Sequence, residues 1–475
     1  MKIRQLLYGI PLLALASCDQ LGPVDDIKPE YVLEESNLFV DANSVEALSN
    51  GMYQPWRGTG VTKMRNCMFL LTQASNNTSV ASAYQFKKNN VSPKSLLVND
   101  YYGNLYLIVN QANTIINGLP KNSPKGLSEG RKNEIMGEAY FNRAFANFML
   151  LRSFGDFWDE NSEYGIVLYD MPAISNDGKA RSSVKACYEL INADLDKAIA
   201  MAPSEEFVNY KANKLAAKAL KARVKLYQKD FATAATLANE VINESSQAGI
   251  ALEENYGDIY QYGYESSEIL FTVYTSYPQE TIETGLFNDF YYFGFGPTLQ
   301  MVADEIAGEV EDGELDPRYT STFVMEEGDW GAESIITKYL NNTNGSDCNP
   351  YYYIRLAELY LIKAEAEARQ SKFADARNSL KVITDRAGYD ADYVSQIADG
   401  DMLMQIFCHK YVELSAENYE EWFDMVRYNQ LDGTDFKELG YIRSFAHKNL
   451  PIPYDALAGN GALKQNPSYV YEYEE

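Results

Sequence analysis

Histidine and positive charge are both scarce in this sequence. Its 475 residues include two histidines, His409 and His447, so Ser-His-Asp catalysis and histidine-based metal sites have almost no imidazoles to use. Lysine and arginine together number 41 against 67 acidic residues, which gives a formal net charge of −26. A chain of this charge repels nucleic acid and anionic membrane surfaces, and we expect neither as a partner.

Cysteine pairs and long apolar runs are also missing. The cysteines beyond the N-terminal region are Cys67, Cys187, Cys348 and Cys408, and none belongs to a CxxC pair, so a zinc or thioredoxin-type site has no support. We expect isolated buried thiols, while one or two disulfides stay open for an exported chain. No later stretch approaches the roughly 18 continuous apolar residues of a membrane-spanning helix.

What remains is the composition of a folded, tyrosine-rich protein. Hydrophobic residues make up 46% of the chain and charged residues 23%, which is close to globular averages. The 37 tyrosines account for most of the 13% aromatic content. Tyrosine packs its ring while its hydroxyl stays hydrated, which suits surfaces that bind polar ligands.

The first residues predict export and lipid attachment. Lys2 and Arg4 precede an apolar run over 6–15, and the run ends in Leu-Ala-Ser before Cys18. This order is typical of a bacterial lipobox, although an ordinary secretory signal with a chance cysteine would look similar. We expect residues 1–17 to be a signal peptide, Cys18 to be acylated, and residues 18–37 to form a polar tether.

Apolar spacing predicts a mainly α-helical body. The pattern has the helical period over several long segments, whereas between about 250 and 350 it fades into loops and short strand-like runs such as 269–274. The predicted helices span 99–118, 131–154, 183–201, 211–228, 231–243, 351–370, 373–386 and 402–428. The Phe- and Ala-rich helix 131–154 is apolar on more than one face, so it should lie between other helices.

Two helical hairpins repeat each other, one over 219–238 and one over 361–380. Superposing the two segments places Phe231 on Phe373, Ala222 on Ala364 and Ala234 on Ala376. Small residues where two helices cross, with an aromatic residue just past the turn, are typical of a tetratricopeptide unit. A generic helical hairpin is the plainer alternative, and either kind of unit needs stacked neighbours to bury its faces.

Several short motifs along the chain resemble those of one family. They are Leu105-Tyr106-Leu107-Ile108 with Asn110-Gln111-Ala112-Asn113, Gly137-Glu138-Ala139 with Phe154-Gly155-Asp156, Arg355-Leu356-Ala357-Glu358 with Ala364-Glu365-Ala366, Asp385-Arg386-Ala387-Gly388, Trp422-Phe423-Asp424-Met425-Val426-Arg427, and Leu450-Pro451-Ile452-Pro453. Their order along the chain resembles that of the SusD/RagB lipoproteins of Bacteroidota outer membranes. These motifs carry the fold: Arg355 with Glu358, and Asp424 with Arg427, are expected to meet on helix faces, with Glu417 and Trp422 bracing the same helices.

The resemblance implies a fold and a function. It implies a SusD-like, mainly α fold with tetratricopeptide-type hairpins, an N-terminal helical region over 38–250 and a C-terminal RagB/SusD region over 251–475. The ligand would bind on an irregular face of loops and short strands. Members capture an oligomeric nutrient, a glycan or, in the RagB branch, a peptide, and deliver it to a SusC-like, TonB-dependent barrel. They are binding proteins without catalysis or cofactors, facing the cell exterior.

Two irregular segments have the composition of a sugar site, with aromatic rings and polar groups at the rim. The expected ligand-binding residues are Asn76, Asn77, Tyr84 and Phe86 in segment 72–102, and Asp289, Tyr291 and Tyr292 in segment 287–298. The polar flanks of Tyr84 and Phe86 favour exposure, whereas the second aromatic cluster could equally be core. The acidic residue expected near Ala74 in glycan-binding members is missing, as is the tryptophan of starch binders, so starch itself is doubtful.

Two other classes of function stay open at this point. An exported all-helical glycoside hydrolase would need a pair of flanking carboxylates, and no motif marks such a pair. A pure interaction protein would use its helical repeats to bind protein alone. The oxygen-rich loop 341–347 lacks the spacing of a calcium loop, so we expect no metal.

Overall fold

The computed structural model confirms a mainly helical protein. It describes residues 38–73, 81–173, 178–203, 208–274, 302, 305–306, 316–328, 331–336, 338, 351–440, 442 and 444–473. In the first half the helices are α1 (Ala42–Tyr53), α2 (Thr59–Leu71), α3 (Ala81–Lys87), α4 (Leu96–Gly118), α5 (Glu129–Phe154), α6 (Val184–Met201), α7 (Lys214–Tyr227), α8 (Phe231–Gln247) and α9 (Asp258–Tyr262). In the second half they are α10 (Pro317–Thr322), α11 (Leu356–Ala368), α12 (Phe373–Arg386), α13 (Tyr393–Gln396), α14 (Met402–Leu414), α15 (Glu420–Asp432) and α16 (Tyr454–Gly459).

Short 3-10 helices and two small sheets complete the described architecture. The 3-10 helices are Gln54–Arg57, Leu119–Lys121, Gly263–Glu265 and Pro467–Tyr473, and the strands are β1 (Ile269–Phe271), β2 (Phe323–Gly328), β3 (Gly331–Ile336) and β4 (Ile354–Arg355). Strand β1 pairs antiparallel with β4, and β2 forms a hairpin with β3 in register from Phe323 opposite Ile336. The predicted strand 269–274 therefore exists in its first three residues. None of the helices in the described ranges combines the length and apolar character that crossing a bilayer requires.

Both predicted helical hairpins are present and stack on each other. They are α7 with α8 and α11 with α12, and α8 packs against α11. Ala222 and Ala364 are fully buried where the helices cross. The two turns also match, because Lys229 and Ser371 both have positive φ angles, of 66° and 59°. The repeat seen in the sequence is thus a structural repeat, in which each hairpin covers the apolar face of the other.

Helix α5 lies at the centre of the N-terminal half. Its residues from Ile135 to Phe154 are all buried, as its two-sided apolar pattern predicted, and it packs against α1, α4, α6 and α7. Gly137 allows the closest of these approaches. A Cβ atom at that position would lie 2.4 Å from the backbone nitrogen of Ala202 at the end of α6. The glycine of the Gly137-Glu138-Ala139 motif is therefore a packing residue.

The single helix predicted over 402–428 is wrong, because the structure divides it into α14 and α15. Between them Ala416 and Tyr419 have left-handed φ angles of 64° and 73°. The break positions the Glu417 carboxylate against Arg355 and Lys338, at 2.8 Å from each. The break itself is held by Glu421, whose carboxyl group accepts a hydrogen bond of 2.6 Å from the Ala416 N–H. With neither Gly nor Pro nearby, apolar spacing alone gave no signal of this interruption.

The predicted pairing of Arg355 with Glu358 is also wrong. Arg355 lies in the extended strand β4, just before α11, so its guanidinium is not on the helix face. It contacts Glu268, Glu413 and Glu417 instead, while Glu358 pairs with Arg223 of α7 at 2.5 Å. The second predicted pair is confirmed at a distance of 2.6 Å.

Buried ion pairs connect the two halves of the chain. Arg152 of α5 pairs with Glu420 of α15, and Arg223 of α7 with Glu358 of α11. All four side chains are at most 1% exposed. A buried guanidinium is tolerated only when a carboxylate faces it, so these pairs fix how the halves fit together.

Three of the cysteines lie in the described core. Cys67, Cys187 and Cys408 are all buried, as expected, whereas Cys348 lies outside the described residues. Burial raises the pKa of the Cys187 thiol to about 11. The thiolate is the reactive form of cysteine, so Cys187 is a packing residue rather than a nucleophile.

Candidate ligand-binding surface

Helix α3 separates the two aromatic residues predicted in the first segment. Tyr84 is 49% exposed, and the Lys88 ammonium lies 4.3 Å from its ring centroid. The predicted exposure of Phe86 is wrong, because its ring is fully buried in the main core. Residues two apart do not share a face of a helix, so when one ring faces solvent the other faces the protein. Tyr84 therefore keeps a surface for a ligand, and Phe86 does not.

The other predicted site residues are not placed by the structure. Asn76, Asn77, Asp289, Tyr291 and Tyr292 lie outside the described residues, as does Cys18. Their roles in ligand binding and lipidation stay predictions.

The fold forms an aromatic surface that the sequence did not reveal. Tyr210, Tyr264 and Tyr274 form this tyrosine cluster, with ring centroids 5.2 Å to 6.3 Å apart. Tyr210 is 38% and Tyr274 43% exposed, so much of each ring faces solvent. Tyr274 is the last described residue before the stretch that contains 287–298. Partly exposed rings with fixed orientations provide flat surfaces for the C–H faces of a sugar.

Hydrogen bonds to backbone carbonyls hold the tyrosine cluster in place. The Thr272 N–H donates to the Asn209 carbonyl at 2.8 Å, and the Asn209 side-chain amide donates to the Tyr264 carbonyl at 2.7 Å. The Tyr264 hydroxyl donates to the Val273 carbonyl at 3.3 Å, and the Arg57 guanidinium to the Tyr274 carbonyl at 3.2 Å. The rings are thus organised before any ligand arrives, which reduces the entropy lost on binding.

Helix α2 connects this cluster to the first predicted segment. Arg57, which contacts Tyr274, lies just before α2, and segment 72–102 begins just after it. Thirteen helical residues span about 20 Å. One end of α2 therefore lies beside the Tyr274 backbone, and the other end leads into the first predicted segment.

A polar cleft of about 690 Å³ adjoins the tyrosine cluster. Its lining includes Arg131, Glu134, Glu138, Met201, Pro203, Val208, Tyr210, Lys211 and Asn213. Arg131 contacts Glu46 at 2.6 Å and Glu138 at 2.9 Å, and its hydrogen bond lowers the pKa of Glu46. Both signs of charge are thus present and paired, so the cleft offers hydrogen-bonding groups without a strong net field.

The described residues show no arrangement for metal chemistry. Within them, no group of three or more His, Cys, Asp or Glu side chains is placed to hold an ion. His409 is buried, with Arg318 2.9 Å from Nδ1 and the Tyr393 hydroxyl 3.0 Å from Nε2. Burial and the Arg318 charge lower the pKa of His409 to about 3, so it is a neutral structural group.

Comparison with known families gives two matches along the chain. A family model described as "SusD-like_3: Starch-binding associating with outer membrane" matches residues 26–226. A second model, "SusD_RagB: SusD family", matches residues 335–469. Together the two matches cover more than half of the sequence.

Individual relatives agree over nearly the whole length. SusD-like protein P2 of Formosa agariphila is 26% identical over 530 aligned residues, which include 99% of this chain and 100% of the relative. A solved SusD superfamily protein from Bacteroides vulgatus is similar with a TM-score of 0.75 and 24% identity, covering 90% of this chain and 99% of that one. A solved laminarin-binding SusD-like protein has a TM-score of 0.71 and 20% identity, covering 91% and 100%. The structural likenesses establish a shared fold.

Proposed function

The chain belongs to the SusD/RagB family, and from this premise we propose that it captures an oligomeric nutrient at the cell surface. The ligand is a neutral oligosaccharide or glycan. The protein passes it to a SusC-like, TonB-dependent barrel in the outer membrane, and it is not an enzyme. The protein consists of a signal peptide over 1–17, a lipidated tether over 18–37, an N-terminal helical region over 38–250 and a C-terminal RagB/SusD region over 251–475.

The observation that carries this proposal is the preorganised tyrosine cluster of Tyr210, Tyr264 and Tyr274. Exposed rings beside paired polar groups suit a ligand with apolar faces and many hydroxyls. One matching family model is described as starch-binding, and one structural neighbour as laminarin-binding. Both descriptions support a glycan as the ligand class. The negative net charge favours neutral glycans over sulfated or uronic ones.

An oligopeptide, as in the RagB branch, is the second candidate ligand. The polar cleft favours it, because its lining includes groups of both charges, among them Glu134 and Lys211, that suit the two ends of a peptide. The titration described next includes both ligand classes and distinguishes them.

Replacing both Tyr210 and Tyr274 by alanine should weaken glycan binding by about 100-fold. Each lost stacking surface is assigned about a tenfold effect, or about 1.4 kcal/mol. The measurement is calorimetric titration of the mature, lipid-free protein with maltoheptaose, laminariheptaose and mixed oligopeptides, with thermal unfolding monitored in parallel.

The matched control is Tyr262→Ala, since Tyr262 is 49% exposed in the same stretch but is not part of the cluster. Its affinity should equal that of the wild type. An unchanged affinity in the double variant would remove the tyrosine cluster from the site, and heat with peptides alone would favour the RagB-like function.

Lipid attachment at Cys18 is tested separately. Cys18→Ala removes the thiol that would be acylated, so the protein should move from the membrane fraction to the soluble fraction. Ser17→Ala is the control, because it retains a small residue before the cysteine and should stay in membranes. A Cys18→Ala protein that still fractionates with membranes would show that another feature anchors it.

A further inference from the structure

A second cleft, which shares no residue with the tyrosine cluster, lies on the outer face of helix α4. It has a volume of about 490 Å³ and is bounded by α4, residues from 167 to 173, Gly178, and helix α16 with the residues after it. Its lining is Tyr102, Gly103, Tyr106, Val109, Asn110, Val167, Tyr169, Met171, Ala173, Gly178, Ala456, Gly459, Asn460 and Leu463. The volume is within the range of about 300–1,000 Å³ that small-molecule sites occupy.

One wall of this α4 cleft is a series of tyrosine rings. Tyr106 lies 4.7 Å from Tyr102 and 5.6 Å from Tyr169 between ring centroids. The Tyr106 hydroxyl donates to the Val167 carbonyl at 3.0 Å, which ties α4 to the facing stretch. Burial raises the pKa of Tyr102 to about 12, so this phenol stays neutral.

Gly103 is an unexpected residue in the middle of α4. Glycine weakens a helix interior, and it is usually kept where a side chain would clash. A Cβ atom at Gly103 would meet nothing within 4 Å among the described residues, so none of them requires the glycine. Without a side chain, Gly103 leaves a flat backbone surface at the cleft, which a ligand can approach closely.

Two asparagines supply the polar groups of the cleft. The Asn110 side-chain oxygen accepts a 2.7 Å hydrogen bond from the Ala173 N–H, and its amide nitrogen makes no hydrogen bond within the described part of the chain. Asn460 donates to the Lys179 carbonyl at 2.8 Å and so fixes the opposite wall. None of the described lining side chains is charged, and the Lys179 ammonium, which pairs with Asp170 at 3.7 Å, lies 5.4 Å from the Tyr169 ring centroid.

We propose that the α4 cleft is a second saccharide-binding site, which takes one or two neutral glycosyl units. Tyrosine rings match the apolar faces of a sugar, and the Asn110 amide can donate to a hydroxyl. The described lining is uncharged, and the adjacent Lys179 is already paired with Asp170 at 3.7 Å, so these groups favour neutral sugars over acidic ones. A second site would bind another part of the same glycan and so raise the overall affinity of the protein for a polymeric glycan. The inference rests on the proposed function only for the class of ligand.

Gly103→Leu is the variant that tests the site. A leucine would extend into the cleft, since its Cβ position meets no atom of the described residues within 4 Å and leucine is a strong helix former. Gly51→Leu is the matched control, because Gly51 lies in helix α1, also has nothing within 4 Å of a Cβ position, and does not line the cleft. Both variants should melt at or above the wild-type temperature.

The readout is the stoichiometry of calorimetric titrations with the neutral trisaccharides maltotriose and laminaritriose. The wild type and Gly51→Leu should bind two trisaccharides per chain, and Gly103→Leu one. The Tyr210→Ala, Tyr274→Ala double variant should also bind one trisaccharide. The triple variant, which adds Gly103→Leu, should bind none. Affinity for the long polymer laminarin should fall at least tenfold in Gly103→Leu and stay constant in Gly51→Leu.

The two proposals fail in different ways. One trisaccharide per wild-type chain, lost only with the tyrosine cluster, would overturn the second site and leave the first. Loss of all trisaccharide binding on Gly103→Leu alone would leave the α4 cleft as the site and overturn the tyrosine cluster. Binding of neither trisaccharide by the wild type would overturn both proposals for neutral glycans. A fatty acid that copurifies with the wild type, and is absent from Gly103→Leu by native mass spectrometry, would show that the cleft holds lipid.

Discussion

Replacing Arg355 by methionine is expected to lower the free energy of unfolding by about 3–5 kcal/mol, because it removes one partner of a buried ionic network. The Arg355 guanidinium lies among three carboxylates, with Glu417 at 2.8 Å, Glu413 at 3.0 Å and Glu268 in direct contact. Their side chains are at most 2% exposed. Arg386, Lys338 and Arg318 would be left to balance all three, and buried carboxylates without enough facing cations are costly.

The pH dependence of the loss distinguishes charge from packing. Burial raises the pKa of Glu413, but Arg386 and Arg355 outweigh this and hold it well below its usual range. Such a group stabilises the fold above its unfolded pKa of about 4.3 and stops doing so as the pH falls through the folded value. Without Arg355 the folded pKa rises, so the deficit should be largest near pH 7 and smaller near pH 4. A deficit caused by lost packing would not change.

Urea unfolding at the two pH values measures this effect. Arg377→Met is the control, since Arg377 pairs at 2.5 Å with Asp399, whose side chain is 60% exposed. Exposed pairs contribute about 0–1 kcal/mol, so this variant should stay close to the wild type. If Arg355→Met were as mild as the control, the network would not be a main determinant of stability.

Truncation of Trp56 to alanine is the second large effect, with an expected loss of about 3–5 kcal/mol. The Trp56 side chain is fully buried, stacked on Phe145 at 4.8 Å and edge-on to Tyr353 at 5.5 Å between ring centroids. Its indole N–H donates to the Asn142 side-chain oxygen at 2.8 Å. The ring thus connects the 3-10 helix before α2 to α5 and to the chain just before β4, and its removal leaves a cavity among all three.

Trp56→Phe separates the ring from its hydrogen bond. It retains most of the apolar volume but leaves the Asn142 oxygen without this donor, for a cost of about 1–3 kcal/mol. Thermal and urea unfolding of the two variants should therefore rank alanine well below phenylalanine. Equal losses would assign the effect to the hydrogen bond instead of the packed ring.

Sequence reasoning succeeded where structure is local. Helix α5 and the two stacked hairpins follow from apolar spacing, because an α-helix repeats every 3.6 residues whatever lies around it. The partner of Glu358 could not be found in this way, since Arg223 lies on a helix 135 residues earlier. The break at Ala416 and Tyr419 was missed for another reason, because neither Gly nor Pro marks it and the Glu421 hydrogen bond that holds it leaves no trace in apolar spacing.

The ligand-binding surface was harder to predict than the fold. Tyr210, Tyr264 and Tyr274 are scattered along the sequence, and only the fold brings their rings together. Phe86 was expected at the surface because its neighbours are polar, yet its position on helix α3 directs its ring into the core. Gly103 carries the one local signal that could have been noticed, a glycine inside a long helix without a turn beside it.

The buried pairs between the halves have a consequence for how an exported chain matures. An N-terminal half alone would present the guanidiniums of Arg152 and Arg223 to a core that lacks Glu420 and Glu358. Neither guanidinium can lose its charge at any physiological pH, so the half-formed core would stay open to water. The native state therefore becomes accessible only after residue 420 is available to the folding chain, which for the exported protein that we propose means after its translocation. The chain should accordingly acquire protease resistance in a single late step.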